Sequence, residues 1–157
     1  MNTATASNTV TKTRASYLPA KVSKPKPKFS LPITTLLTKH EHLILKIPIH
    51  ISMKFLAQGI AQATDWYNIN FRIVIGLRLA ELLYTDEVIK EFKHRVEISE
   101  GIWARFKETK VLQATQEEIE YLSSAMTAVD TMQDTDDRRS LIYVSRKAYT
   151  YMQKFRK

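Results

Sequence analysis

HLILKIPIHIS, residues 42–52, is the stretch on which the fold turns. Leu43, Leu45, Ile47, Ile49 and Ile51 occupy every second position, and His42, Lys46, His50 and Ser52 alternate with them beside Pro48 and the apolar Ile44. Side chains of an extended backbone point to opposite faces in turn, so this spacing predicts a β-strand with one buried face. Pro48 has no N–H to give to a ladder, which places that strand at a sheet edge. It is the only clear strand signal in the chain.

Downstream, the apolar spacing changes to threes and fours. Residues 53–66 read as a helix through Leu56, Ile60 and Ala63, with Gly59 as a weak point. Tyr67, Asn68, Ile69 and Asn70 predict a break, with Asn70 as N-cap of a helix over residues 71–84. That helix is apolar almost all round and must be buried on most sides, for which a second copy of the chain is the expected cover. Thr85 and Asp86 cap a further helix carrying Ile89, Phe92, Val96, Ser99, Trp103 and Phe106, which Gly101 ends or bends. Thr115 and Glu118 form a capping box ahead of Ile119, Leu122, Met126 and Val129. The acidic turn 134–137 opens a last helix with Leu141, Val144, Ala148, Met152 and Phe155 on one stripe. The last two helices are expected to pair as an antiparallel hairpin.

Upstream, residues 1–28 are rich in Thr, Ser, Ala, Lys and Pro and end in KPKPK, which predicts a disordered basic arm. The folded domain is expected to begin near Phe29, with Pro32 in the first turn of a short helix carrying Ile33, Leu36 and Leu37. The expected architecture is therefore mostly α: one domain over residues 29–157, with one strand followed by about five helices.

The formal charge of +8 is segregated. Residues 1–40 hold seven bases and no acid, residues 138–157 another seven and no acid, and residues 41–137 hold 16 acids against 10 bases. Two basic ends flanking an acidic middle suit contact with a polyanion at selected places, and nucleic acid is the expected partner. The absence of cysteine excludes disulfides, thiolate metal sites and cysteine nucleophiles. Residues 71–84 are interrupted by charge and too short to span a bilayer, so a soluble, cytoplasmic protein without membrane contact is expected. None of the three glycines lies in a phosphate-cradling motif, and no nucleophile elbow is present. His40, His42, His50 and His94 lack the ligand spacing of a metal site. No enzyme activity, cofactor, metal or small-molecule substrate is expected.

A strand followed by two helices over residues 42–85 resembles the ribbon-helix-helix family of small DNA-binding transcriptional regulators. The resemblance implies a dimer whose paired strands lie in the major groove. It implies that His42, Lys46, His50 and Ser52 face bases and that Asn68, Asn70 and Arg72 hold the phosphate backbone, with residues 86–157 as a helical extension. The family's turn motif is missing, Pro48 falls mid-ribbon and Ile44 lies on the presumed DNA face. The alternative is a strand that pairs within its own chain beside a helical bundle.

Three functions follow as expectations. The first is a dimeric DNA-binding transcription regulator or accessory factor of a mobile element, reading duplex DNA with a β-ribbon while Lys24, Lys26 and Lys28 of the arm contact phosphates. The second is a helical subunit binding RNA or single-stranded DNA in a larger nucleoprotein complex, through a second basic face of Arg139, Tyr143, Arg146 and Lys147. The third is a protein-interaction adaptor or inhibitor that uses the acidic middle segment.

Overall fold

The computed structural model describes residues 38–156. They form five helices, α1 (Lys39–Ala57), α2 (Ala63–Leu83), α3 (Asp86–Thr109), α4 (Gln116–Thr135) and α5 (Arg138–Met152), with a closing 3-10 turn at Gln153–Phe155. The apolar α2 is the axis: α1, α3, α4 and α5 all pack against it. Of its 21 residues, 12 are buried. The expectation that this helix is buried on most sides holds, but its cover comes from the same chain, so α2 needs no second copy.

The expected strand is a correction. Residues 42–52 lie inside α1, and no strand occurs among the described residues, so the ribbon-helix-helix core and its β-ribbon have no element to carry them. Three local causes favour the helix. Thr38 and Glu41 form a capping box, in which the Thr38 hydroxyl accepts from the Glu41 N–H and the Glu41 carboxylate accepts from the Thr38 N–H at 2.8 Å. The inward positions Ile49, Met53 and Leu56 then continue at helical spacing past the end of the alternating run. Finally, Gln58 caps the helix and Gly59 follows at φ 70, with Ile60 N–H bonded to Phe55 O and Gly59 N–H to Leu56 O. This pair of bonds is a Schellman stop, and it uses the one residue type that takes a positive φ without strain. Pro48 removes one bond, the one to the Ile44 carbonyl, and sits on the exposed side of the helix, where solvent reaches the freed oxygen.

Two other boundaries move. Gly59 terminates a helix rather than weakening one, and α2 runs without a break through residues 67–70, leaving Asn70 wholly buried in mid-helix instead of at a cap. Gly101 neither ends nor interrupts α3, which runs on to the left-handed Lys110. The capping box of Thr115 with Glu118 and the N-cap Asp137, which accepts from the Ser140 N–H at 2.7 Å, open α4 and α5 as expected. These two helices do not form a packed hairpin; each lies against α2. The acidic connection leaves only two residues between them, and the apolar stripe of each faces the axis.

One end of the bundle is aromatic. Trp66 is wholly buried, stacks on Trp103 at 4.2 Å between ring centroids, meets the edge of Phe155 at 5.0 Å and donates its indole N–H to the Ser99 carbonyl at 2.8 Å. At the other end of α2, Tyr84 is 2 % exposed. Burial pushes its phenol up to about 12, with the charge of Asp136 adding to the rise and the Thr135 hydroxyl opposing it. A folded value raised above the ordinary one means stability that is whole below pH 10 and declines as the pH passes toward 12. In a spectrophotometric titration, one phenol is expected to ionise near pH 12, and Tyr84→Phe should remove that component. Loss of a component near pH 10 instead would contradict the burial of Tyr84.

Candidate functional site

Six of the seven side chains to which the ribbon-helix-helix resemblance gives DNA contacts lie along the seam of α1 with α2 and α4 and have partners within the protein, although His50 and Asn68 remain exposed. Lys46 Nζ lies 2.7 Å from Asp134, and His50 Nε2 lies 2.7 Å from Asp130. His42 Nδ1 lies 3.0 Å from Gln133 Nε2 and 3.2 Å from Asp134. Arg72 comes from α2 and reaches the second oxygen of Asp130 at 2.8 Å with its side chain 5 % exposed. Burial lowers the pKa of this guanidinium, while the hydrogen bond and charge of Asp130 and the charge of Asp134 oppose the fall. Ser52 donates to Asp65 at 2.9 Å, and Asn68 donates to Ser52 at 3.3 Å. Asn70 is the seventh, and it lies apart in the core with its amide on the Met152 sulfur. The residues grouped by the resemblance thus come together, Asn70 excepted, but on helices rather than on a ribbon. In α1, His42, Lys46, His50 and Ser52 turn toward the bundle, where they hold the helix down.

The consequence lies on the opposite face. The polar side of α1 is docked, so its apolar side faces out: Leu43, Ile44, Leu45, Ile47 and Ile51 are each between 46 and 56 % exposed. Leu43, Ile47 and Ile51 recur every fourth position and form one row along the helix. On its flank, Leu45 faces Leu141, Ile142 and Tyr149 of α5 across an open trough of about 600 Å³. Arg138 closes one end of that trough through both oxygens of Glu41 at 2.6 Å. The Thr38 cap and the Arg138 guanidinium hold the Glu41 carboxyl below its usual range.

The second basic face is only partly available. Lys147 sits 5.7 Å over the Tyr143 ring, and both Arg139 and Tyr143 have partners within the protein. Arg146 is exposed and forms no ion pair with a described carboxylate. Together α1 and α5 contain one acidic residue, Glu41, which is already engaged; their exposed charges are Lys39, Lys54, Arg146 and Lys147.

Lys24, Lys26 and Lys28 and the arm over residues 1–28 lie outside the described residues. All 16 acids lie inside them, whereas Lys12, Arg14, Lys21, Lys24, Lys26, Lys28 and Lys157 do not. The described bundle is therefore close to neutral in formal charge. Among the described residues, no acid, cysteine or histidine cluster has the arrangement of a metal centre, and no helix is long and apolar enough to cross a membrane.

Sequence reasoning missed the outer row of α1. Its signal is present in the spacing of Leu43, Ile44, Ile47 and Ile51, but a strand assignment turns all of these except Ile44 inward. Comparison with known proteins returns no match: no family model fits the chain, and no curated protein or solved structure is significantly similar to it.

Proposed function

We propose that this chain is a helical protein-interaction module whose working surface is the outer face of α1 together with the trough between α1 and α5. The observation that carries this reading is the orientation of α1, with its ion-pairing side inward and its apolar row outward. A surface helix with no task beyond packing buries its apolar stripe and solvates its charges. Here five large aliphatic side chains are left in water, and specific ion pairs keep the helix from rolling them under. A contiguous exposed apolar patch of this kind marks an interaction surface. The adaptor expected from the sequence is thus kept, with its docking surface on the apolar outer row of α1 rather than on acidic side chains.

A second reading rests on charge. The surplus bases lie at the chain ends, and Arg146 and Lys147 are exposed beside Tyr149 on α5, an arrangement that suits a single-stranded nucleic acid.

A photoreactive amino acid at Ile47, with a control at the exposed Lys93 of α3, separates the two readings in the cells that make the chain. The interaction reading expects a discrete, protease-sensitive and nuclease-resistant adduct from position 47 and none from position 93. Nuclease-sensitive adducts, or the same adducts from both positions, would contradict it.

A further inference from the structure

The geometry points to an acidic amphipathic helix of a partner protein as the occupant of the α1–α5 trough. This inference rests on the interaction reading above and gives that surface its ligand chemistry.

The first support is shape. The trough runs between two helices, with Leu45 on one wall and Ile142 and Tyr149, a position apart by two turns, on the other, over Leu141. No strand edge exists among the described residues to add an extended peptide by backbone pairing. A groove walled by helices is filled by a third helix, whose side chains at i, i+3, i+4 and i+7 match the turn spacing of the wall. The row of Leu43, Ile47 and Ile51 extends the contact along α1, whose 19 residues span about 28 Å.

Charge is the second support, and it is independent of shape. The exposed ionised side chains on these two helices, Lys39, Lys54, Arg146 and Lys147, are all basic. The single acid between them is neutralised by Arg138 at 2.6 Å. A ligand with glutamate or aspartate flanking its apolar stripe meets a matching field, whereas a second copy of the chain bringing the same face would oppose positive with positive. A bilayer would satisfy the charge but would leave the concave trough unfilled.

The probe is an amphipathic peptide of about 18 residues, long enough as a helix to run the length of α1, with leucine on one stripe and glutamate flanking it. Its counterpart has lysine in place of glutamate. The full-length chain is titrated with each labelled peptide by fluorescence anisotropy. The acidic peptide is expected to bind at least about tenfold more tightly than the basic one. Ile47→Asp and, separately, Arg146→Glu are each expected to weaken it by about tenfold. Both positions are exposed, and unchanged circular dichroism of the two variants confirms that folding is not the cause.

Equal binding of both peptides, no binding of either, or binding unaffected by both substitutions overturns the inference. So does a preference for phosphatidylserine vesicles that Ile47→Asp abolishes, which would assign the face to a membrane. A dimer in sedimentation equilibrium that Ile47→Asp dissociates would assign it to a second copy, and peptide binding seen only after deletion of residues 1–37 would assign it to the chain itself; each also overturns the inference. If position 47 cross-links to a protein while the acidic peptide fails, the interaction reading stands and the acidic helix does not.

Discussion

Asp130→Ala is expected to cost the fold about 3–5 kcal/mol, the loss typical of breaking a buried ion pair by removing one partner. Asp130 accepts from Arg72 at 2.8 Å through one oxygen and meets His50 at 2.7 Å through the other. The Arg72 side chain is 5 % exposed, and Asp130 is its hydrogen-bonding carboxylate. The penalty is chiefly the guanidinium charge left without it rather than the attraction lost. The double variant Arg72→Met/Asp130→Leu, which removes both charges, is therefore expected to recover most of the stability. Urea unfolding of the single and double variants checks this. A single variant within about 1 kcal/mol of the parent, the range of an exposed ion pair, would show that the Arg72–Asp130 pair is solvated.

Gly76→Val is expected to destabilise the bundle by about 3 kcal/mol or more, the upper range for overpacking a filled core. A Cβ at Gly76 would lie 2.5 Å from Cε1 of Phe92 and closer still to Cγ2 of Val129. Neither neighbour has room to retreat, because Phe92 is 2 % exposed and Val129 wholly buried. At this position, α3 and α4 approach the axis closely only because there is no side chain. Gly101 provides the internal contrast: it lies in α3 with no atom within 4 Å of an added Cβ. Gly101→Ala is expected to stabilise the chain by up to about 1 kcal/mol through helix propensity alone. Thermal melts of the two variants should therefore move in opposite directions; a parallel shift would contradict the packing at Gly76.

Much of the helical framework is legible in the sequence because local chemistry and tertiary packing agree there. The capping box of Thr115 with Glu118, the acidic start of α5 and the continuous apolar character of residues 71–84 each point to the element that forms. Residues 42–52 are different because their pattern satisfies two periods. Leu43, Leu45, Ile47, Ile49 and Ile51 lie on one face of a strand, yet in a helix the same positions divide between an inner contact at Ile49 and an outer row. Periodicity alone assumes that apolar residues turn inward, and that assumption fails where a surface is kept apolar. The deciding local signals lay just outside the stretch, in the Thr38 and Glu41 cap and the Gly59 stop. The seam was half legible: the polar residues of α1 and α2 were grouped, but Asp130 and Asp134, partners lying 58 to 88 residues away from Arg72, His50 and Lys46, cannot be assigned by spacing.

Residues 39–57 form a helix docked by its polar side with its apolar row outward. The chain contains no cysteine, so single cysteines placed one at a time from position 43 to position 53 report accessibility without background. Maleimide labelling is predicted to be fast at positions 43, 44, 47 and 51 and slow at 49, 52 and 53. An alternation of period two, with all the odd positions from 43 to 51 slow and the even ones fast, would instead make the stretch a strand with that face buried.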